Sequence, residues 1–306
     1  MQKLQDVHIQ RELSKLWRAN YFTPSTQILA TRSLRQIQAL VKEANARRGE
    51  RKMKETVIKF LKRPKLKNPI FIEGLPGMGY VGKLAAEHLV SELGAKKFAE
   101  LYSPHFPHHV YIQEEGLVRL VMNEFYWATP KGKQLIILIG DVQATSPQGH
   151  YEVVHKILDV VKRFGAKQLF TLGGYATGRY PLGKPKVVGV VSHPKLVDRY
   201  RKYGVVIEEG GGPIIGASGL ILGLGKLRGM EGVCLLGETH GMMVDHRAAE
   251  SVLGVLTRIL DIEVDMADLE RRARKTESLL RRIRAEIEHR ARQEMRRAEE
   301  EVSYIG

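Results

Sequence analysis

Gly77-Met-Gly79-Tyr-Val-Gly82 lies between the apolar stretch Pro69–Glu73 and the amphipathic stretch Tyr80–Leu93, so a glycine-rich turn joins a predicted strand to a predicted helix. That is the setting of a dinucleotide site. Glycines let the backbone approach a pyrophosphate, and the helix N-terminus offers it amide groups and a favourable dipole. Glu100, 18 residues after Gly82, falls near the next strand, where a ribose-binding carboxylate is sought. It sits in the middle of that strand, Phe98–Tyr102, rather than at its end, and Leu75-Pro76 lengthens the loop before the first glycine. Read as a P-loop, Gly77–Gly82-Lys83 places Leu84 where magnesium needs a hydroxyl, so that chemistry fails. Small residues are equally what a helix and strand need to pack closely. The residues alone leave the dinucleotide and packing readings open.

Other polar residues form no catalytic set. His105, His108 and His109 cluster among prolines but lack a second ligand group at metal spacing. Asp141 ends an apolar run, where α/β sheets often bind ligands, and a turn role fits it too. His240, Asp245 and His246 flank a helix start, with Asp245 placed as its N-cap. Cys234, the single cysteine, sits in the apolar run Val233–Leu236 and reads as a buried thiol in a reducing, cytoplasmic setting. No catalytic residue, cofactor or metal is expected.

The elements that would position these residues alternate between strand and helix. Strands are predicted at Thr56–Leu61, Pro69–Glu73, Phe98–Tyr102, Leu135–Asp141, Lys167–Leu172, Val187–Ser192, Val205–Glu208 and Gly232–Glu238. Helices are predicted at Tyr80–Leu93, Gly149–Phe164, Pro194–Tyr203 and Asp245–Leu260. Val110–Glu114 and Leu117–Trp127 face each other across Glu115-Gly116 as a hairpin. Leu135–Asp141 is apolar enough for a strand covered on both faces. The pattern predicts an α/β fold with a mostly parallel sheet and helices on both faces, with some antiparallel pairing at the hairpin.

Three segments follow from composition: a basic extension over 1–52, an α/β domain over 53–262, and a helical extension over 263–306. Of the net charge of +15, residues 1–52 carry +7, residues 53–264 another +7, and residues 265–306 only +1. No aromatic-interleaved basic strip appears in the middle, so specific nucleic-acid recognition is a weak reading. The first segment is expected to be an extension lacking a core, or to precede a native start at Met53. No apolar run reaches the ~18 residues of a membrane span. From Asp265 on, Met266, Leu269, Ala273, Thr276, Leu280, Ile283 and Ile287 alternate 3-4 spacings, a coiled-coil seam thinned beyond Ile287 by Arg290 and Glu294.

The order of the glycine motifs is more specific than any one of them. Gly74-Leu-Pro-Gly-Met-Gly-Tyr-Val-Gly82-Lys is followed by Ile139-Gly-Asp141, with Pro147 beyond. Leu172-Gly-Gly-Tyr-Ala-Thr-Gly178, Gly216-Ala-Ser-Gly-Leu-Ile-Leu-Gly223 and Leu235-Leu-Gly-Glu-Thr239 come next. Over about residues 68–262 this series resembles the family of proteasome assembly chaperone 2 and its archaeal homologues. The resemblance implies a three-layer, nucleoside-phosphorylase-like fold without established catalysis, and glycine motifs that serve as structural loops at strand ends. It also implies homo- or hetero-oligomers that bind 20S proteasome α-subunits as assembly chaperones, adaptors or activators. Proteasome activators dock a tail of hydrophobic residue, tyrosine and any residue, ending in a free carboxylate. Here the tail is Val302-Ser303-Tyr304-Ile305-Gly306, with the tyrosine displaced by one position. These five residues are the expected partner-binding site; the alternative is a nucleotide- or dinucleotide-binding enzyme using Gly77–Gly82.

Overall fold

Apolar runs and amphipathic segments alternate along the chain, and most take the element that their period dictates. The computed structural model describes residues 55–179 and 183–303. The strands are β1 (Val57–Phe60), β2 (Ile70–Gly74), β3 (Lys96–Tyr102), β4 (Val110–Ile112), β5 (Val118–Leu120), β6 (Asn123–Ala128), β7 (Leu135–Gly140), β8 (Gln168–Ala176), β9 (Val187–Val191), β10 (Val206–Ile207) and β11 (Glu231–Thr239). The helices are α1 (Val81–Glu92), α2 (Pro147–Arg163), α3 (Val197–Arg201), α4 (Ala217–Leu227), α5 (His246–Leu260) and α6 (Ala267–Ser303).

Nine strands form one sheet in the order β1-β3-β6-β7-β2-β8-β11-β9-β10, and β4 pairs with β5 apart from it. The centre, β7-β2-β8-β11, is parallel throughout. The antiparallel pairings, β1-β3, β3-β6, β6-β7 and β11-β9, flank that centre. The result is a mixed α/β fold in which β9 and β10 add a parallel pair at one edge and the central strand β7 is buried on both faces.

Alternation along β7 shows how the layers form. Ile136 and Leu138 join α2 residues such as Val154 and Ile157 and α4 residues such as Ile221 in one core. Leu135, Ile137 and Ile139 point the other way, into a second core with Leu89 of α1 and Val252 and Leu256 of α5. Helices therefore cover both faces, and the wholly apolar sequence of β7 follows from that. Leu269, near the start of α6, enters the second core as well.

Two expectations are corrected. Leu117–Trp127 is not one strand: β5 stays with β4, while β6 crosses into the main sheet between β3 and β7. The break is fixed at Met122, whose carbonyl accepts from the Asp141 amide and whose amide donates to Asp141 Oδ2 at 3.0 Å each. Gly216–Gly223 is no strand-end loop either, since Ala217–Leu227 is helix α4. Two of its glycines serve packing: a Cβ on Gly225 would lie 2.5 Å from the Leu169 side chain, and one on Gly219 would lie 2.6 Å from the Ile214 carbonyl oxygen.

Candidate functional site

The glycine-rich loop stands at the C-terminal end of β2, in the middle of the nine-stranded sheet. Gly79 has a left-handed backbone (φ 61°), and a Cβ there would meet Thr239 Oγ1 at 2.9 Å. A Cβ on Gly82 would lie 2.1 Å from the Leu172 carbonyl oxygen, and one on Gly74 would lie 2.3 Å from the Gly82 carbonyl oxygen. The space beside these glycines is thus filled by the protein's own backbone and side chains. Lys83 Nζ donates to the Gly140 carbonyl at 3.0 Å and pairs with Glu87 at 3.4 Å, so it faces inward and not a phosphate. Gln143 ties the loop to α4: its Nε2 donates to the Pro76 carbonyl at 2.6 Å, and its Oε1 accepts from the Ala217 amide at 2.8 Å.

Glu100 cannot serve that loop as a ribose ligand. Its strand, β3, is separated from β2 by β6 and β7, which at about 4.8 Å per strand is about 14 Å. The carboxylate accepts from Lys59 at 3.3 Å and from Tyr102 at 2.9 Å, and pairs with Lys97 at 3.1 Å. Burial would raise its pKa, but those three partners outweigh burial and lower it. The dinucleotide reading therefore loses its acid, and close packing accounts for Gly79 and Gly82, while Gly77 meets only Gln143 Nε2 at 3.8 Å.

Asp141 is a clamp. Arg119, on β5, reaches it with both terminal guanidinium nitrogens, at 2.5 and 3.2 Å, and stacks on Tyr111 of β4 with 4.9 Å to the ring centroid. Burial raises the Asp141 pKa, but Arg119 and the Met122 amide more than reverse it and hold the carboxyl below its ordinary value. The residue at the end of β7 thus fastens the hairpin to the sheet.

The histidines are used locally. His105 Nε2 lies 3.0 Å from Glu152 Oε2, and the ring of His109 sits edge-on to Tyr111. No group of three metal-ligating side chains occurs among the described residues. Asp245 is the N-cap of α5, accepting from the amides of Arg247 and Ala248 at 3.1 Å each. It also accepts from Thr239 Oγ1 at 2.9 Å, and its own amide donates to the Gly79 carbonyl at 2.9 Å, so α5, β11 and the glycine loop meet there. His246 begins α5, and burial lowers its pKa. Cys234 is fully buried, which pushes its thiol up to about 12 and leaves it inert.

One group escapes a motif search. Glu73, on β2, is completely buried, and burial pushes its carboxyl up to about 7 against the Leu75 amide, which donates to Oε1 at 2.9 Å, and against the nearby Ser218 hydroxyl. Oε2 meets no hydrogen-bond partner among the described residues. An acid directly after the apolar run Ile70–Ile72 was the only sequence signal for it.

The expected site at the chain end is carried by α6. His88 Nε2 lies 2.7 Å from the Asp265 carbonyl just before the helix, and Leu269 and Ala273 are buried in its first two turns. Beyond them, pairs four residues apart line the exposed side, including Glu277–Arg281 at 2.8 Å and Glu286–Arg290 at 2.6 Å. The helix is 37 residues long, or about 55 Å. The side chains of Thr276, Leu280, Ile283 and Ile287 lie outside the described set. Val302 and Ser303 end the helix, and Tyr304, Ile305 and Gly306 lie outside the described residues.

Fold and site together define an α/β scaffold in which Gly74, Gly79 and Gly82 pack against their neighbours and whose far end is a long charged helix. The chain belongs to the PAC2 family, whose model matches residues 71–284. It is similar in structure to PbaB of Pyrococcus furiosus, an archaeal proteasome activator, with 48% identity and a TM-score of 0.71 over 76% of this chain and 99% of that one. PbaA of the same organism, an archaeal homolog of proteasome-assembly chaperone, is 30% identical with a TM-score of 0.61, covering 74% of this chain and 96% of that one. An uncharacterized protein of Methanocaldococcus jannaschii is 37% identical over 79% of this chain and 93% of its own length. No described helix is long and apolar enough to cross a membrane.

Proposed function

We propose that this chain is a non-enzymatic, homo-oligomeric proteasome chaperone or activator of the cytoplasm that contacts the α-ring of the 20S proteasome through its C-terminal tails. The observation that carries this reading is the 48% identity to an archaeal proteasome activator across 99% of that protein's length. In this reading the core domain over 53–262, of nucleoside-phosphorylase-like type, builds the oligomer, and residues 1–52 are an extension to it. The seam from Met266 to Ile287 pairs helices as a coiled coil near the domain and leaves the tips apart. Val302, Ser303, Tyr304, Ile305 and Gly306 then present a tyrosine, two aliphatic anchors and a free carboxylate to pockets between α-subunits. Several weak tails on one oligomer gain avidity that none has alone.

Deletion of 302–306 tests the tail mechanism. Co-purification with the 20S proteasome should be lost while the mass of the oligomer stays unchanged; undiminished co-purification refutes the tails. An enzyme using Gly77–Gly82 would instead bind NAD(H) or ATP saturably at micromolar concentration and lose that binding on Gly79→Val. The filled space beside Gly79 and Gly82 argues against that outcome.

A further inference from the structure

We propose that the basic linker between β1 and β2 binds an extended acidic segment of another protein, whose carboxylates at alternate positions meet Arg63, Lys65 and Lys67. This site does not depend on what the C-terminal tails bind.

The linker is built as a charged strip. Arg63, Lys65 and Lys67 are exposed, while Pro64 and Leu66 between them are half-buried, and Leu66 packs against the core beneath. Exposure at every second residue is the period of an extended chain, which sets the outward side chains about 7 Å apart. The run is pinned at both ends. The Leu61 amide donates to the Phe98 carbonyl at 2.8 Å, and the Asn68 amide donates to the Phe164 carbonyl at 3.2 Å. The Lys67 amide donates to Gln134 Oε1 at 2.5 Å, and Arg63 lies over the Phe60 ring, 5.7 Å from its centroid. The strip is thus fixed before a partner arrives, and binding has less chain to order.

Its charge has no counterpart within the domain. The Asn68 contact brings the strip beside Lys162 and Arg163 in the last turn of α2, and Lys167, just before β8, is exposed as well. No acid lies between Glu55 and Glu73 in the sequence, and Asp159 of α2 is taken by Arg228 at 3.1 Å. Other cations at this end of the sheet have acids of their own: Lys131 has Glu263, Lys133 has Asp261 and Lys195 has Glu231. Arg63, Lys65, Lys67, Lys162, Arg163 and Lys167 have none among the described residues. The dipole of α2 accounts for Lys162 and Arg163, but no acid or helix end of the domain accounts for the three on the linker. Like charges held together repel. An acidic partner relieves that repulsion and is steered to the strip by it.

A peptide fits better than a nucleic acid. Among the described residues the amides of Arg63, Lys65 and Leu66 make no hydrogen bond, so an extended peptide can pair with this backbone as well as with the side chains. Base stacking needs open aromatic rings, and the nearby Phe60 and Phe164 are half-buried against the core. The strip also lies apart from the root of α6. It borders the amino ends of β2, β7 and β8, whereas Asp268 and Arg272 line a cavity with Leu84 and His246, near the starts of α1 and α5. A partner held on the strip therefore leaves the tails free.

The test is fluorescence anisotropy of the full chain with a labelled peptide of alternating glutamate and threonine, at low ionic strength. Arg63→Gln/Lys65→Gln/Lys67→Gln removes the strip. Lys184→Gln/Lys186→Gln/Lys202→Gln removes the same charge near β9 and β10, at the far edge of the sheet. The wild type should bind saturably, the strip variant at least about tenfold more weakly, and the control like the wild type, all with the same circular dichroism. No saturable binding by the wild type overturns the site. Equal weakening in both variants shows diffuse net charge and overturns it too. A labelled oligothymidylate that binds more tightly than the peptide through the same three residues assigns the strip to nucleic acid and overturns the peptide.

Discussion

Gly82 of α1 rests on the backbone of β8, where a single added carbon would lie 2.1 Å from the Leu172 carbonyl oxygen. That relationship separates a packing glycine from a ligand-binding one. Alanine favours a helix by about 1 kcal/mol over glycine, but overpacking costs about 1–3 kcal/mol and more when the obstacle is backbone. Gly82→Ala should therefore lower stability by about 2 kcal/mol or more in urea melts. Gly223 of α4 has nothing within 4 Å of its would-be Cβ, so Gly223→Ala should raise stability by about 0.5–1 kcal/mol. Equal effects at the two positions would mean that α1 does not lie as close to β8 as it does here.

Arg119 and Asp141 should set the order of the hairpin. Both side chains are mostly covered, so Arg119→Ala should cost about 1–2 kcal/mol, the range of a charge-assisted pair discounted for partial solvation. Amide exchange across 110–120 should speed up while β7 stays protected. The Asp141 pKa is lowered by folding, so its contribution is present above the ordinary carboxylate value and disappears as pH falls through the folded one. Arg119→Ala should therefore lose less stability on acidification than the wild type. An unchanged acid limb would assign the clamp no electrostatic role.

The alternation of apolar runs with amphipathic segments was legible because burial on both faces leaves no polar position in a strand such as β7. Asp245 was legible as a cap because an acid before an apolar-periodic stretch has few other uses. The hairpin was half legible: Glu115-Gly116 marks the turn, but only the Met122–Asp141 contact, a tertiary one, shows where β5 yields to β6. Helix α4 was hidden because glycine is the weakest helix former apart from proline, and Gly219, Gly223 and Gly225 mask the pattern. Tertiary contact overrides propensity there, since a larger residue at 225 would strike Leu169. The dinucleotide fingerprint misled for a related reason. The same three glycines suit a pyrophosphate or a neighbouring strand, and sequence spacing does not record strand order, which puts Glu100 three strands from β2.

Asp245 couples three elements, and a double-mutant cycle should expose the coupling. Loss of an N-cap costs about 0.5–2 kcal/mol, and here the same carboxylate also takes the Thr239 hydroxyl. Asp245→Ala should cost about 2 kcal/mol and Thr239→Val about 1 kcal/mol, a lost buried bond. The double variant should cost less than their sum by roughly 1 kcal/mol, because the shared bond is lost only once. Strict additivity would show that the hydroxyl and the carboxylate act independently.

Glu73 should make the protein less stable as the solution becomes less acidic. Its carboxyl is raised from 4.5 to about 7 by burial, so between those values the folded chain holds a proton that the unfolded chain has released. Stability then falls with rising pH across that window and levels off above it. At about 1.4 kcal/mol per pKa unit the full loss is about 3 kcal/mol. Glu73→Gln keeps an oxygen for the Leu75 amide and removes the ionisation. Its urea midpoint should thus stay flatter from pH 5 to pH 8 and exceed the wild-type midpoint at the alkaline end. His246, whose pKa burial lowers, titrates alike in both proteins, so the difference between the two curves isolates the carboxyl. Parallel curves would mean that Glu73 is ionised in the folded state, its charge held by the Leu75 amide and the Ser218 hydroxyl.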